Sequence, residues 1–158
     1  MKVYLDTNVV SAIAREDFPE DEMRALKQLL ELSNTGNLEL RTSEVARREI
    51  ESYKGEDKRT VEIVYLLLQK VPIIEDHKVL GYHSTYPLVE DHPISAALRQ
   101  MRLERADAHH LMVAIRAQCE VFLTRDEGIL RRHAEIKARF RIRPLTPATL
   151  ARTLSLVM

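Results

Sequence analysis

The sequence predicts an α/β fold in which a parallel sheet is covered by helices on both faces. Three observations predict it. Short apolar stretches suited to strands alternate with longer stretches of helical periodicity along the whole chain. Two of the strand-like stretches end alike, in polar turns that carry an aspartate, Asp6-Thr7-Asn8 and Thr124-Arg125-Asp126. Residues suited to opening a helix, such as Ser43 and Thr146-Pro147, stand just after strand-like stretches. Such alternation implies right-handed crossovers, which bury both faces of a parallel sheet.

Taken in order, Val3-Tyr4-Leu5 is a short apolar strand, and a helix follows from Asn8 or Val9 to about Arg15. Pro19 suits the first turn of a second helix, where Glu20, Asp21 and Glu22 favour the helix dipole. Met23, Leu26, Leu29, Leu30 and Leu32 form its apolar face, and Gly36 ends it. Leu38 to Arg41 reads as a second strand. Ser43 can cap a helix carrying Glu44, Val45, Arg48, Glu49 and Tyr53, which breaks at Gly55. An apolar helix from about Lys58 to Gln69 precedes a third short strand, Val71 to Ile74, and Glu75 to Pro93 reads as a loop. Helices are expected from Ile94 to Leu103 and from Asp107 to Gln118. Val121-Phe122-Leu123 is a fourth strand, followed by a basic helix from Gly128 to Arg139. Phe140 to Arg143 alternates as a fifth strand, and Thr146 caps a closing helix with Pro147 in its first position.

A chain of 158 residues has room for one good core, so residues 1–158 are expected to form a single domain. Hydrophobic content of 45% with 30% charged residues describes an ordinary globule rather than a disordered chain. No apolar run is long enough to span a bilayer, and the N-terminus begins on a strand rather than a secretory leader. A cytoplasmic location is expected. The one cysteine, Cys119, lies in an apolar run and reads as a small buried hydrophobe rather than a nucleophile. Lys plus Arg total 24 and Asp plus Glu total 24. Nucleic-acid binders often carry a basic excess, so neutrality argues weakly against one. A site that binds cations must itself be acidic, and it escapes that argument.

In doubly wound sheets ligands bind beyond the carboxyl ends of the strands, where strand order reverses. Asp6 ends the first strand, Asp126 follows the fourth, Asp107 opens the helix leading into the fourth, and Glu49 lies on the helix after the second. Each has a bland reading: Asp6, Asp107 and Asp126 as helix caps, Glu49 as a solvated charge. Together they suggest another. Crowded carboxylates repel one another and raise each other's pKa, and bound Mg²⁺ or Mn²⁺ reverses that cost, because hard cations take oxygen ligands. The cation can then serve phosphodiester hydrolysis without a nucleophilic side chain.

Tyr4-Leu5-Asp6-Thr7-Asn8 resembles the opening of PIN domains, and Ser43 to Ile50, with Glu49 six residues after the serine, resembles their second motif. Ala106-Asp107-Ala108-His109-His110-Leu111 to Ala114 resembles the third, Phe122-Leu123-Thr124-Arg125-Asp126 the fourth, and Pro144-Leu145-Thr146-Pro147 a common tail. The matches occur in order and frame almost the whole chain, leaving residues 75–104 unmatched. The resemblance implies a three-layer sandwich around a five-stranded parallel sheet in the order 3-2-1-4-5. It implies Mg²⁺- or Mn²⁺-dependent hydrolysis of RNA, with Asp6, Glu49, Asp107 and Asp126 as catalytic and metal-binding acids. Thr124 would supply a hydroxyl that orients metal-bound water. Many small PIN proteins are VapC-type toxins silenced by a cognate antitoxin, so an antitoxin partner and a homodimer are also implied.

Arg41, Arg47, Arg48 and Arg125 are candidate clamps on an RNA backbone. His109 and His110 read as packed or hydrogen-bonding histidines, since imidazole suits softer ions than Mg²⁺. A haloacid-dehalogenase-like phosphatase would need a second aspartate where Asn8 stands. A PIN-like module that binds RNA or protein without cutting is the alternative of a different class.

Overall fold

The computed structural model describes residues 1–14, 19–44, 46, 48, 71–74 and 93–155. Strand β1 (Lys2–Leu5) lies at the centre of the sheet. On one side it pairs in parallel with β2 (Glu39–Ser43), Val3 opposite Leu40, and β2 pairs with β3 (Ile73–Ile74). On the other side it pairs with β4 (Val121–Leu123), Tyr4 opposite Phe122, and β4 pairs with β5 (Arg143–Leu145). The order is β3-β2-β1-β4-β5, all parallel, as the resemblance implied. The chain moves outward through β2 and β3, then returns to place β4 against β1. The switch point therefore lies between β1 and β4.

Strand period two divides the core. Val3, Leu5, Val121 and Leu123 point to one face, where helices α1 (Thr7–Ala14) and α2 (Glu20–Asn34) bring Val9, Val10, Leu26 and Leu29. Tyr4 and Phe122 point to the other, against α3 (Pro93–Gln100) and α4 (Arg105–Arg116). Helix α4 is buried from Ala108 to Ala114, which explains why its sequence shows so little polar relief. Helices α5 (Glu127–Arg131) and α6 (His133–Phe140) add Ile129 and Ile136 to the same layer. The closing helix α7 (Pro147–Thr153) packs on α2, with Thr146 accepting from the Thr149 N–H at 3.3 Å as its cap.

Several boundaries differ from the expected ones. Pro19 stands before α2 rather than within its first turn. Helix α3 takes in Pro93 and stops at Gln100, because Arg102 turns the chain with φ 56°. Helix α4 opens at Arg105, so Asp107 is its third residue rather than its cap. The single basic helix is two, α5 and α6, interrupted at Arg132. Phe140 ends α6, Arg141 takes the left-handed conformation with φ 60°, and the fifth strand starts at Arg143. Pro144 within it is tolerated because β5 is an edge strand. The expected helix over 58–69, and the expected loop over 75–92, lie outside the described residues. No helix among the described residues is long and apolar enough to cross a membrane.

Cys119 is 6% exposed, and burial pushes its thiol up to about 12. Thiolate is the reactive form. A maleimide or iodoacetamide is accordingly expected to leave Cys119 unlabelled in the native protein and to label it on unfolding. Fast labelling of folded protein would contradict the burial.

Candidate active site

Asp6 directly follows β1, and its backbone N–H donates to the carbonyl of Leu123 at 3.0 Å, which ties it to the end of β4. Its carboxylate is 3% exposed and doubly held. The Thr7 N–H donates to Oδ1 at 2.8 Å, and the Thr124 hydroxyl donates to Oδ2 at 2.7 Å. Thr124 is fully buried at the end of β4, and its oxygen also accepts from Asn8 Nδ2 at 3.1 Å and from the Asp126 N–H at 3.0 Å. Asn8 Oδ1 accepts from the Arg125 N–H at 3.0 Å. One hydroxyl and one amide thus lock the two strand-end turns together.

Asp126 does serve as a cap, accepting from the Ile129 N–H at 2.8 Å through Oδ1. That bond fixes one oxygen and the direction of the carboxylate. Gly128 leaves that oxygen room, since an added Cβ would stand 3.0 Å from Oδ1 and press on the carboxylate. Asp107 reaches the same place from the first turn of α4. A cleft of about 660 Å³ opens here, lined among others by Asp6, Asn8, Asp107, His110, Arg125 and Asp126. It lies at the carboxyl ends of β1 and β4, at the switch point.

The electrostatics carry the signature of crowded acids. Burial, then the negative charges of Asp126, Asp6 and Glu104, push Asp107 up to about 7, with His110 opposing them. All the acidic donors are oxygens, suited to a hard cation. Among the described residues, no three His, Cys, Asp or Glu groups stand close enough to complete a metal centre by themselves. Glu49 lies outside the described residues. The backbone is helical at Glu44, Ala46 and Arg48, and Ser43 Oγ accepts from the Ala46 N–H at 3.0 Å, the expected cap.

The chain belongs to the PIN domain family. Its profile matches residues 3–136, a span that begins at β1 and ends within α6. PIN domains are generally nucleases, and they typically depend on divalent metal. No curated protein matches the sequence. Among solved structures, the fold is similar to a chain of VapBC2 from Rickettsia felis, crystallised bound to a DNA fragment from its promoter. The TM-score is 0.60 at 15% identity, over 92% of this chain and 98% of that one.

Within this PIN domain three of the expected acids, Asp6, Asp107 and Asp126, share one cleft. Thr124 donates to Asp6 at 2.7 Å, with Asn8 Oδ1 as a second, longer acceptor at 3.4 Å. Of the expected clamps, Arg125 lines the cleft, Arg41 pairs with Glu39 away from it, Arg48 is exposed, and Arg47 lies outside the described residues.

Both histidines are buried, in line with the packed reading. Tyr4, stacked on Phe122, donates to Ser43 Oγ at 2.7 Å and meets His110 Nδ1 at 2.7 Å. His110 Nε2 stands 3.5 Å from Thr7 Oγ1, so this chain of contacts joins β1, β2 and α4 beneath the cleft. Tyr4→Phe is expected to cost about 1–3 kcal/mol, the scale of a buried polar group left without its partner. Urea titration checks it; an unchanged midpoint would show that the hydroxyl is not holding the layers. Asn8 and Tyr4 received no site role from the sequence. The signal for Asn8 was its place two residues after Asp6, whereas nothing local to Tyr4 announces its partners.

Proposed function

We propose that this PIN domain, spanning residues 1–158 as one unit, is an Mg²⁺- or Mn²⁺-dependent endoribonuclease. The observation that carries the reading is the convergence of Asp6, Asp107 and Asp126 on one cleft, where burial first and then the neighbouring carboxylates raise Asp107 to about 7. Such crowding costs stability in the absence of a counter-charge and is relieved by a divalent cation. Asp6, Asp107 and Asp126 would hold it, with Glu49 as a fourth acid. Mg²⁺ keeps several waters and needs only one or two protein carboxylates, so an incomplete protein cage fits it. When bound, the cation neutralises charge on the phosphate and makes water a better nucleophile.

The chain's own residues do the positioning. Thr124 and the Thr7 N–H fix the direction of Asp6, and the Ile129 N–H fixes Asp126. Asn8 holds the Arg125 backbone, which keeps the Arg125 side chain at the cleft to meet substrate phosphate. Glu49 binds metal or steers the attacking water. Water attacks phosphorus, the bond to the 3′ oxygen breaks, and a 5′ phosphate and a 3′ hydroxyl result.

Further, we assign the protein to the toxin side of a type II toxin-antitoxin pair in the cytoplasm, silenced by an antitoxin. The resemblance to VapC-type proteins supports this, as does the fold likeness to VapBC2. Purified protein is expected to cut RNA in Mg²⁺ or Mn²⁺ and to stop in EDTA. Absence of cleavage in either metal would leave the binding-module alternative, and cleavage that survives EDTA would refute the acidic site. Purification as an inactive complex with a small protein supports the antitoxin; a freely active homodimer opposes it.

A further inference from the structure

Asp107, Asp126 and Gly128 form a wall shared by two clefts. The second, of about 610 Å³, lies between the turn after α3 and helices α5 and α6. Its cations are Arg102, Arg131 and Arg132, none of them among the clamps expected from the sequence. Arg131 is paired with Glu127 at 3.1 Å at the open surface, where such pairs are weak and easily exchanged, and Arg132, half-buried, with Glu135 at 3.3 Å. Arg102 is exposed, its backbone N–H donates to the Arg99 carbonyl at 2.9 Å, and its guanidinium forms no hydrogen bond or ion pair among the described residues. It sits in the left-handed turn that ends α3, φ 56°, an arrangement uncommon for a residue with a side chain.

The neutral composition hides a segregation of charge. Between Pro93 and Arg143 the chain carries eleven Lys or Arg against six Asp or Glu. Three of those eleven line the second cleft, directly beside the acids of the first.

We infer that the second cleft holds the phosphate adjacent to the scissile one along an RNA strand, with Arg102 as its principal contact. The inference rests on the nuclease reading and deepens it. A guanidinium without a carboxylate partner presents a planar fork of donors that matches two phosphate oxygens. Glu104, Glu135, Asp107 and Asp126 also face this cleft. Four carboxylates offset three guanidiniums until a cation compensates Asp107 and Asp126; thereafter the guanidiniums prevail. Cation binding therefore precedes tight RNA binding, and the shared wall couples them.

Anisotropy of a fluorescein-labelled single-stranded RNA tests this across a salt series in Ca²⁺, an oxygen-seeking cation, with the RNA checked intact by gel. Arg102→Ala is expected to weaken binding about tenfold, the scale of one charge-assisted contact. It should also flatten the salt dependence by about 0.7 in log–log slope, one phosphate's share for a single strand. Arg102→Lys restores the slope, and the double variant Arg131→Ala, Arg132→Ala flattens it further. Arg152→Ala, an exposed change on α7, controls for loss of any positive charge. In Mg²⁺, Arg102→Ala raises KM for long RNA and leaves the turnover of a dinucleotide, which has no second phosphate, unchanged.

Affinity and slope for Arg102→Ala equal to those of wild type or of Arg152→Ala would overturn this subsite and leave the nuclease reading standing. Binding that depends on Arg102 without cleavage in Mg²⁺ or Mn²⁺ would overturn the nuclease reading and leave the subsite standing. A wild-type protein that binds no RNA removes both.

Discussion

Asp6→Asn is expected to abolish RNA cleavage in Mg²⁺ and in Mn²⁺ while the protein stays folded. Asn has the shape of Asp and can still accept the Thr7 N–H, so the backbone at the end of β1 has no reason to move. What changes is charge and one donor. The Asn amide would face Thr124, whose oxygen already accepts from Asn8 and from the Asp126 N–H. That mismatch costs about 1–2 kcal/mol, which a two-state domain survives. Loss of the charge removes a buried oxygen ligand from the cleft, and activity should fall by at least about 10²–10³, the scale of deleting one preorganised electrostatic contact. Cleavage rates compared at equal helicity check it. A folded Asp6→Asn protein that cuts at the wild-type rate would end the metal-site reading.

Asp107→Asn should have the opposite effect on stability and the same effect on activity. In the metal-free protein Asp107 titrates near 7 when folded, against an ordinary value of 3.8. Below about pH 4 both folded and unfolded chains hold the proton, and Asp107 imposes no penalty. Between about pH 4 and pH 7 the unfolded chain releases the proton first, so stability falls as pH rises, and above 7 the full penalty applies. The whole difference would amount to about 4 kcal/mol. Asp107 is partly exposed at the mouth of the cleft, where water screens the repulsion, and the measurable share is about 1–2 kcal/mol. In EDTA, wild-type Tm should drop between about pH 4 and pH 7, by about 2–8 °C on this account. Asp107→Asn should flatten that drop and melt higher than wild type at the alkaline end, yet be inactive. Mg²⁺ should raise the wild-type Tm and affect the variant less, since only binding to the folded state stabilises. A variant that melts lower than wild type at alkaline pH would show that Asp107 is stabilising, not repelled.

The gain in stability from removing an acid and the loss of activity come from one cause. Asp6 and Asp126 add to the burial that raises Asp107 because the sheet brings β1 and β4 side by side, and on the proposed reading the same crowding is what a cation with its own waters would relieve. On the proposed reading Arg102 and its neighbours extend that logic to substrate: the acids would collect a cation, and the cation in turn would let the arginines hold phosphate.

The sequence alone determined the layer plan, because strand period two and helical periodicity are local patterns written in side-chain polarity. It also determined the caps at Ser43 and Thr146, whose hydroxyls act on backbone groups three residues away. The acids Asp6, Asp107 and Asp126 were legible because they sit at strand and helix ends, although their convergence needed the strand order, which came from the resemblance. Tertiary structure alone decided the rest. Asp107 ceased to be a cap because α4 starts two residues earlier, and Thr124 became the keeper of Asp6 across 118 positions of chain. Glu22, readable only as a charge favouring its own helix, accepts from the Ala148 N–H at 2.7 Å and so caps α7 from the neighbouring α2. The three arginines of the second cleft looked like any solvated charges. Their setting is made by a turn, two helices and a shared acidic wall, and only chain reversal in space brings those together.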